Sequence, residues 1–265
     1  MSDILVVKIG GSTLGAHDTT LADVVALQRR GLRPVVVHGG GAKISEWLDA
    51  LGVPTRFERG LRVTDAQTLE VVVAVLAGLV NKQLVAALEA AGGRAAGLSG
   101  ADGGLFKARR ADESLGFVGE IADVDTRPLL DLLDDGLVPV VAPIGLEWRP
   151  DGRASAREES PTGQLLNINA DTAAGAVAAA LGARWLVFLT DVPGIRGRDG
   201  AALASLSAAE SVSLTEAGVI EGGMIPKVRA CLHAAAAGCR SVIADGRSEG
   251  ALAAAIEGGA GTVVG

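Results

Sequence analysis

The sequence predicts an α/β fold, a three-layer sandwich in which a mainly parallel central sheet is covered by helices on both faces. Three observations predict it. Short apolar runs alternate with helical patterns from one end of the chain to the other, the order expected of parallel strands joined by crossover helices. The chain is 49% apolar but only 3% aromatic, with no Tyr, so the core is built from Ala, Val, Leu and Ile. Glycine clusters follow the first two strand-like runs, in "KIGGS" and "HGGGAK", and the carboxyl ends of parallel strands are where such sheets bind ligands.

The elements follow in order. "ILVVKI" predicts a strand at 4–9, and a helix at 19–30 ends at Gly31, a residue suited to the position after a helix. A strand at 34–38 leads into a glycine-led helix at 39–52. Residues 64–93 read as one long helix, with Thr64 and Gln67 spaced as a capping box and Gly92 and Gly93 as its end. This helix is apolar over more of its surface than a single buried stripe requires ("LEVVVAVLAGLV"), which predicts either a subunit interface, and with it a two-fold homodimer, or a deeply buried helix. A strand at 95–98 follows, then short strands of a hairpin or flap at 104–110 and 116–125, a helix at 127–135 and a strand at 137–142. The polar stretch 147–164, with two Pro and two Gly, predicts the one long loop, an exposed insertion or a lid. The second half repeats the alternation: helix 171–181, strand 185–189, helix 225–237, strand 241–244, helix 250–257 and strand 262–264.

At 265 residues the chain can form one large domain or two lobes. Its net charge of -7 argues against nucleic acid or an anionic membrane as the main partner. No uninterrupted apolar run approaches the ~18 residues of a membrane span, and the chain opens directly on a strand pattern, without a signal peptide. Cys231 and Cys239 read as small apolar residues in a reducing compartment, which places the protein in the cytoplasm. His17, His38 and His233 are too dispersed for a zinc site, and no metal-ligating side chain is assigned.

Of 24 basic residues only Lys8, Lys43, Lys82, Lys107 and Lys227 are Lys. Lys8 stands in an apolar strand just ahead of Gly10 and Gly11. Lys227 stands at the start of a helix just after Gly222 and Gly223, where the helix dipole disfavours a cation. One glycine turn is most simply a tight turn needing positive φ. Two at equivalent strand ends favour an anion site, and a compact ammonium suits a phosphoryl group that moves during transfer. In "LLNINAD", Asn167, Asn169 and Asp171 fall on one side of a strand-like stretch; helix capping accounts for one or two of them, not all three. A P-loop is excluded, because no G-x-x-x-x-G-K-[ST] occurs, and no G-x-G-x-x-G follows the first strand. "HGGG" and "GRSEG" imitate the oxyanion hole and nucleophile turn of an esterase, but all three His precede Ser248, and that chain order rejects the esterase reading.

Taken together, "VVKIGGS", "VVHGGG", "GLRVTD", "NINADTAAG", "LTDVPGI" and "GGMIPK", in this order and over nearly the whole chain, resemble the amino-acid kinase family. The resemblance implies that family's fold, ATP with Mg²⁺ bound through its phosphates, and phosphorylation of a carboxylate. Within the family the motifs are most similar to the branch that phosphorylates the side-chain carboxylate of N-acetyl-L-glutamate in arginine biosynthesis. The runner-up is a kinase for carrier-protein-linked glutamate or aminoadipate. A catalytically inactive amino-acid sensor on the same fold ranks third, since Lys8, Asp171 and Lys227 are all present.

Carried over motif by motif, the resemblance implies an N-lobe at 1–146 for the acyl amino acid and dimerisation, and a C-lobe at 165–265 for ATP. Lys8 and Lys227 would contact the transferring group, with Asp171 holding both. Gly10 and Gly11 would bind phosphate. Gly40, Gly41, Arg62, Asn167 and Asn169 would bind the acyl amino acid, Arg62 through a carboxylate. Asp191, Val192, Pro193, Gly194, Ile195 and Arg196, with Val219, Ile220, Glu221 and Met224, would line the nucleotide pocket. Two departures stand out: Ala42 replaces a common Pro, and no room precedes Ile4 for the N-terminal helix of ring-forming, arginine-responsive members. The expected assembly is therefore a dimer little affected by arginine.

Overall fold

The computed structural model describes residues 3–10, 19–150 and 159–265. Gly11 and the middle of the expected 147–164 loop, 151–158, lie outside the described residues. The chain runs β1 (Ile4–Ile9), α1 (Thr20–Arg29), β2 (Arg33–His38), α2 (Gly41–Ala50), the short strands β3 (Phe57–Glu58) and β4 (Leu61–Arg62), and α3 (Ala66–Val73). A π-helical stretch (Ala74–Val80) joins α3 to α4 (Asn81–Ala90). Then come β5 (Ala95–Ser99), β6 (Phe106–Arg110), β7 (Val118–Val124), α5 (Arg127–Asp134), β8 (Val138–Ala142), β9 (Ile144–Pro150), β10 (Glu159–Ile168) and α6 (Ala170–Ala180). The last part holds β11 (Trp185–Thr190), β12 (Ser205–Leu206), α7 (Ala208–Glu216), α8 (Met224–Ala236), β13 (Arg240–Asp245), α9 (Ala251–Glu257) and β14 (Thr262–Val264).

The main sheet has the order β12-β14-β13-β11-β1-β2-β8-β5. Every neighbouring pair is parallel except β13 with β14. β1 is central, between β2 and β11. Its residues alternate between two apolar cores, as strand geometry requires. Ile4 and Val6 join the core formed with α5, α6 and α8. Leu5, Val7 and Ile9 join the core formed with α1, α2, α4 and α9. By the same parity, Lys8 points to the α6 and α8 side.

A second, closed sheet of four strands has the order β10-β7-β6-β9. Here the expected loop at 147–164 is corrected. Its flanks are strands, with Ser160 opposite Arg149 and Pro161 opposite Trp148. Polar residues that suggested a loop are paired with one another and with β6: Glu147, only 3% exposed, accepts from Arg149 Nη2 at 2.8 Å, Thr162 Oγ1 at 3.0 Å and Arg110 Nε at 3.1 Å.

One further expectation is corrected. The N-cap of α3 is Asp65, whose carboxylate accepts from Thr68 N at 2.8 Å; Thr64 instead donates its hydroxyl to Arg62 O. The helical run Ala66–Ala90 has 25 residues, and its 18-residue window reaches a mean hydropathy of 2.0, so it passes the test for a membrane span by length and composition only. Val72, Val75, Leu76, Leu84 and Leu88 pack into the core.

Candidate active site

The site is assembled at the carboxyl end of β1. Lys8 is 7% exposed and its ammonium lies 2.7 Å from Asp171 Oδ1. This contact is an ion pair by distance, without the direction of a good hydrogen bond. Lys227 Nζ donates to Asp171 Oδ2 at 2.9 Å and to Gly223 O at 3.1 Å. One buried carboxylate thus holds two ammonium groups. Burial pulls the Lys8 pKa down, assisted by Lys227 and opposed by Asp171. For Asp171 burial alone pushes upward, but Lys8 and Lys227 together hold its carboxyl below the ordinary value. With two cations on one anion, the cluster keeps a net positive charge facing the cavity.

Asp171 owes its place to Asn169, the N-cap of α6, whose Oδ1 accepts from Asp171 N at 2.9 Å and Thr172 N at 3.0 Å. Lys227 owes its place to α8, which packs tightly on α6 through Gly175 and Ala230.

A cavity of about 460 Å³ opens beside Lys8 and Asp171 and is lined by Gly40, Gly41, Arg62, Asn167 and Asn169 among others. Arg62 is 8% exposed. Its guanidinium donates to Ser45 Oγ at 2.8 Å, Gly41 O at 3.0 Å and Thr55 Oγ1 at 3.3 Å, and stacks on the Phe57 ring at 4.7 Å. Burial lowers its pKa, with Asp49 opposing. Among the described residues no carboxylate lies within ion-pair distance of it. A buried guanidinium held only by neutral partners is a receptor for an anion, and its fork fits a carboxylate. Asn167 Nδ2 donates to Thr64 Oγ1 at 3.1 Å, which fixes the amide at the cavity wall.

The second glycine turn follows β2. Gly40 is pinned from below, since a Cβ there would stand 2.6 Å from Leu76 Cδ2 in the π-helical stretch. Gly40 caps α2 and Gly41 begins it, so backbone N–H groups of the first turn are directed outward without intrahelical partners.

The residues expected for the nucleotide lie at the carboxyl end of β11 and ahead of α8. Thr190 closes the turn after β11, its hydroxyl 3.2 Å from Val192 N. Ile195 and Ile220, each 2% exposed, are core residues, so only their backbone can face a ligand. Gly194 needs its lack of a side chain: φ is 155° and a Cβ would meet Thr262 Oγ1 at 2.6 Å. Asp191, Pro193, Arg196 and Glu221 are exposed, and Val192, Val219 and Met224 half-buried.

Sequence reasoning missed Thr64, His38, Asn81 and Gly175. A lone Asn inside an apolar helix and a Gly inside an Ala-rich one were the available signals.

The profile of the amino acid kinase family matches residues 3–245. The chain is 44% identical over 264 residues to an acetylglutamate kinase of Dehalococcoides mccartyi, covering 98% of this chain and 94% of that one. A crystal structure from Streptococcus mutans UA159 superposes with a TM-score of 0.81 at 32% identity, over 92% of this chain and 96% of that one. The N-acetylglutamate synthase of Neisseria gonorrhoeae, solved with coenzyme A and N-acetyl-glutamate, gives 0.80 at 28% identity, over 100% of this chain and 60% of that one.

Proposed function

The chain belongs to the amino acid kinase family, and from that premise we propose that it is an acetylglutamate kinase, transferring the terminal phosphoryl group of ATP to the side-chain carboxylate of N-acetyl-L-glutamate in arginine biosynthesis. The observation that carries this reading is the pair of ammonium groups on Asp171, at 2.7 and 2.9 Å, beside a cavity that also holds the acid-free Arg62. The 44% identity to an acetylglutamate kinase over nearly the whole chain supports the choice of substrate.

In this reading Arg62 binds the α-carboxylate and Asn167 the acyl amino acid, with Asn169 beside it. The side-chain carboxylate then faces Lys8. One of its oxygens forms a bond to the terminal phosphorus, the bond from that phosphorus to the bridging oxygen breaks, and ADP leaves with the electron pair. The nucleophile is already ionised, so no general base is required. Lys8 and Lys227 flank the moving group and stabilise its charge, backbone N–H groups at Gly40 and Gly41 add directed donors, and Gly10 and Gly11 bind phosphate. Asp171 keeps the two cations together against their repulsion.

ATP binds in the C-lobe, 165–265, along Asp191, Val192, Pro193, Gly194, Ile195 and Arg196, and along Val219, Ile220, Glu221 and Met224. The acyl amino acid binds mainly in the N-lobe, 1–146, with Asn167 and Asn169 reaching it from 165–265. Mg²⁺ fits this site as a phosphate-bound ion that neutralises charge, because both oxygens of Asp171 are committed to lysines. The protein works in the cytoplasm as a homodimer joined through the helical run Ala66–Ala90.

Coupled ADP release, measured with N-acetyl-L-glutamate, glutamate and N-acetylaminoadipate side by side, tests the reading. Turnover is expected with N-acetyl-L-glutamate. With a carrier-linked glutamate or aminoadipate as a fourth acceptor, turnover on that acceptor alone would move the protein to the other branch, and none with any of the four would make it a sensor.

A further inference from the structure

Beneath the cavity, the His38 ring joins the second glycine turn to the helix under it. Its Nδ1 lies 2.9 Å from Gly39 O, and its Nε2 lies 3.2 Å from Asn81 Nδ2. The Asn81 amide has one orientation that satisfies its surroundings. Nδ2 also faces Val140 O at 2.8 Å and Leu98 O at 3.3 Å, and Oδ1 accepts from Lys82 Nζ at 3.0 Å. The amide fills the space a side chain at Gly97 would need, since a Cβ there would stand 1.9 Å from Asn81 Oδ1. Gly39 O can only accept, so the ring proton resides on Nδ1 and is donated to it, and Nε2, left without a proton, faces the Asn81 amino group, where an Nε2–H would meet another donor.

That hydrogen bond has a consequence for the next residue. The described peptide bonds are trans, and in a planar trans peptide the carbonyl and the following N–H point in opposite directions. A Gly39 carbonyl drawn inward by His38 turns the Gly40 N–H outward. Gly40 lines the cavity, and its N–H has no acceptor among the described residues.

We infer that His38 is a positioning residue, which aims the Gly40 N–H at the anionic group bound beside Lys8, and that Asn81 fixes the His38 tautomer this requires. The identity of that anionic group rests on the kinase reading above; the hydrogen-bond geometry does not. Burial favours the neutral ring, lowering its pKa to about 4.

Three variants and two spectroscopic readouts test this. His38→Leu should lower kcat about 100-fold, the size expected for one misdirected backbone donor, while KM for N-acetyl-L-glutamate and ATP changes little. His38→Asn, whose Nδ2 takes the place of Nδ1, should recover at least about tenfold of that loss at a similar Tm. Nitrogen-15 NMR of the ring should show protonation at Nδ1 in the native protein and at Nε2 in Asn81→Asp, which presents acceptors instead of a donor. The Gly40 amide resonance should move when pyrophosphate is added to the native protein and stay in place in His38→Leu. A native ring protonated at Nε2, or a His38→Asn no faster than His38→Leu, would overturn the inference. If the native protein does not phosphorylate N-acetyl-L-glutamate, the kinase reading fails, and the two NMR readouts still decide the role of His38.

Discussion

Gly175 of α6 lies so close to α8 that a Cβ on it would stand 2.8 Å from both the Cβ and the carbonyl oxygen of Ala230. Asp171 is one helical turn before Gly175, and Lys227 is nearly one turn before Ala230. The contact therefore sets the spacing across which Lys227 reaches Asp171 at 2.9 Å. Glycine inside a helix costs about 0.5–1 kcal/mol relative to Ala, so close packing has to offset that.

From this spacing, Gly175→Ala should force α6 and α8 apart and destabilise the fold by about 1–3 kcal/mol. It should lower kcat at least about tenfold, because small misplacements of a catalytic group are costly. KM for N-acetyl-L-glutamate should hardly change, since Arg62 and Asn167 stand on other elements. Steady-state kinetics alongside thermal unfolding check this. A lowered Tm with native kcat would mean that the contact supports the fold and does not set Lys227.

Lys8→Arg and Lys227→Arg should each cut kcat by at least about 100-fold, the scale of a lost contact to developing charge. Lys8 is 7% exposed and already 2.7 Å from Asp171, so a longer planar guanidinium has neither space nor the reach to follow a moving group. Near-native turnover at saturating substrate in either variant would reduce that lysine to a structural role.

How far the sequence reveals this arrangement depends on the kind of contact. The alternation of Ile4 to Ile9 between two cores, and the placing of Lys8 and Gly40 at strand ends, follow from local pattern. The Asp171 bridge was reachable only through the family's motifs, because Lys8 and Lys227 are far apart in the chain. The loop expectation at 147–164 failed because two of the partners of Glu147, Arg110 and Thr162, come from other strands, and polarity without partners looks like a loop. His38 and Asn81 were missed for the same reason. α7 went unnoticed although Ser207 and Glu210 form its capping box, a signal that local reading can find.

Arg62→Lys should raise KM for N-acetyl-L-glutamate and leave KM for ATP unchanged. The guanidinium is positioned by Ser45, Gly41, Thr55 and the Phe57 ring, and an ammonium replaces a bidentate fork by a point charge. Kinetics with each substrate varied in turn decide it; a selective loss of ATP affinity would place Arg62 at the nucleotide.

The proposed homodimer should depend on the outer face of the run Ala66–Ala90, where Ala74 and Gly78 are exposed and Val73 and Ala77 half-buried. Such a small, apolar face is suited to a two-fold contact. Ala74→Arg should convert the dimer to a monomer by light scattering across a concentration series, with the fold retained by circular dichroism. A monomeric native protein, or an unaltered dimer in the variant, would remove this helix from the interface.

Stability should fall on mild acidification because of His38. Burial first, then Lys8 and Lys82, lower its pKa from 6.5 to about 4, against the opposing bond to the Gly39 carbonyl. Between those values the unfolded chain takes up a proton that the folded chain refuses. The stabilisation is therefore complete above pH 6.5 and is lost as the pH falls towards 4, a span worth at most about 3 kcal/mol. Asp171, with its carboxyl held below the ordinary 3.8, contributes stability that is lost only at still lower pH. Thermal unfolding of the native protein from pH 7.5 to 4.5 should show a falling Tm, and His38→Asn, which has no titrating ring, should show a shallower fall. Parallel curves for the two proteins would mean that folding does not exclude a proton at His38.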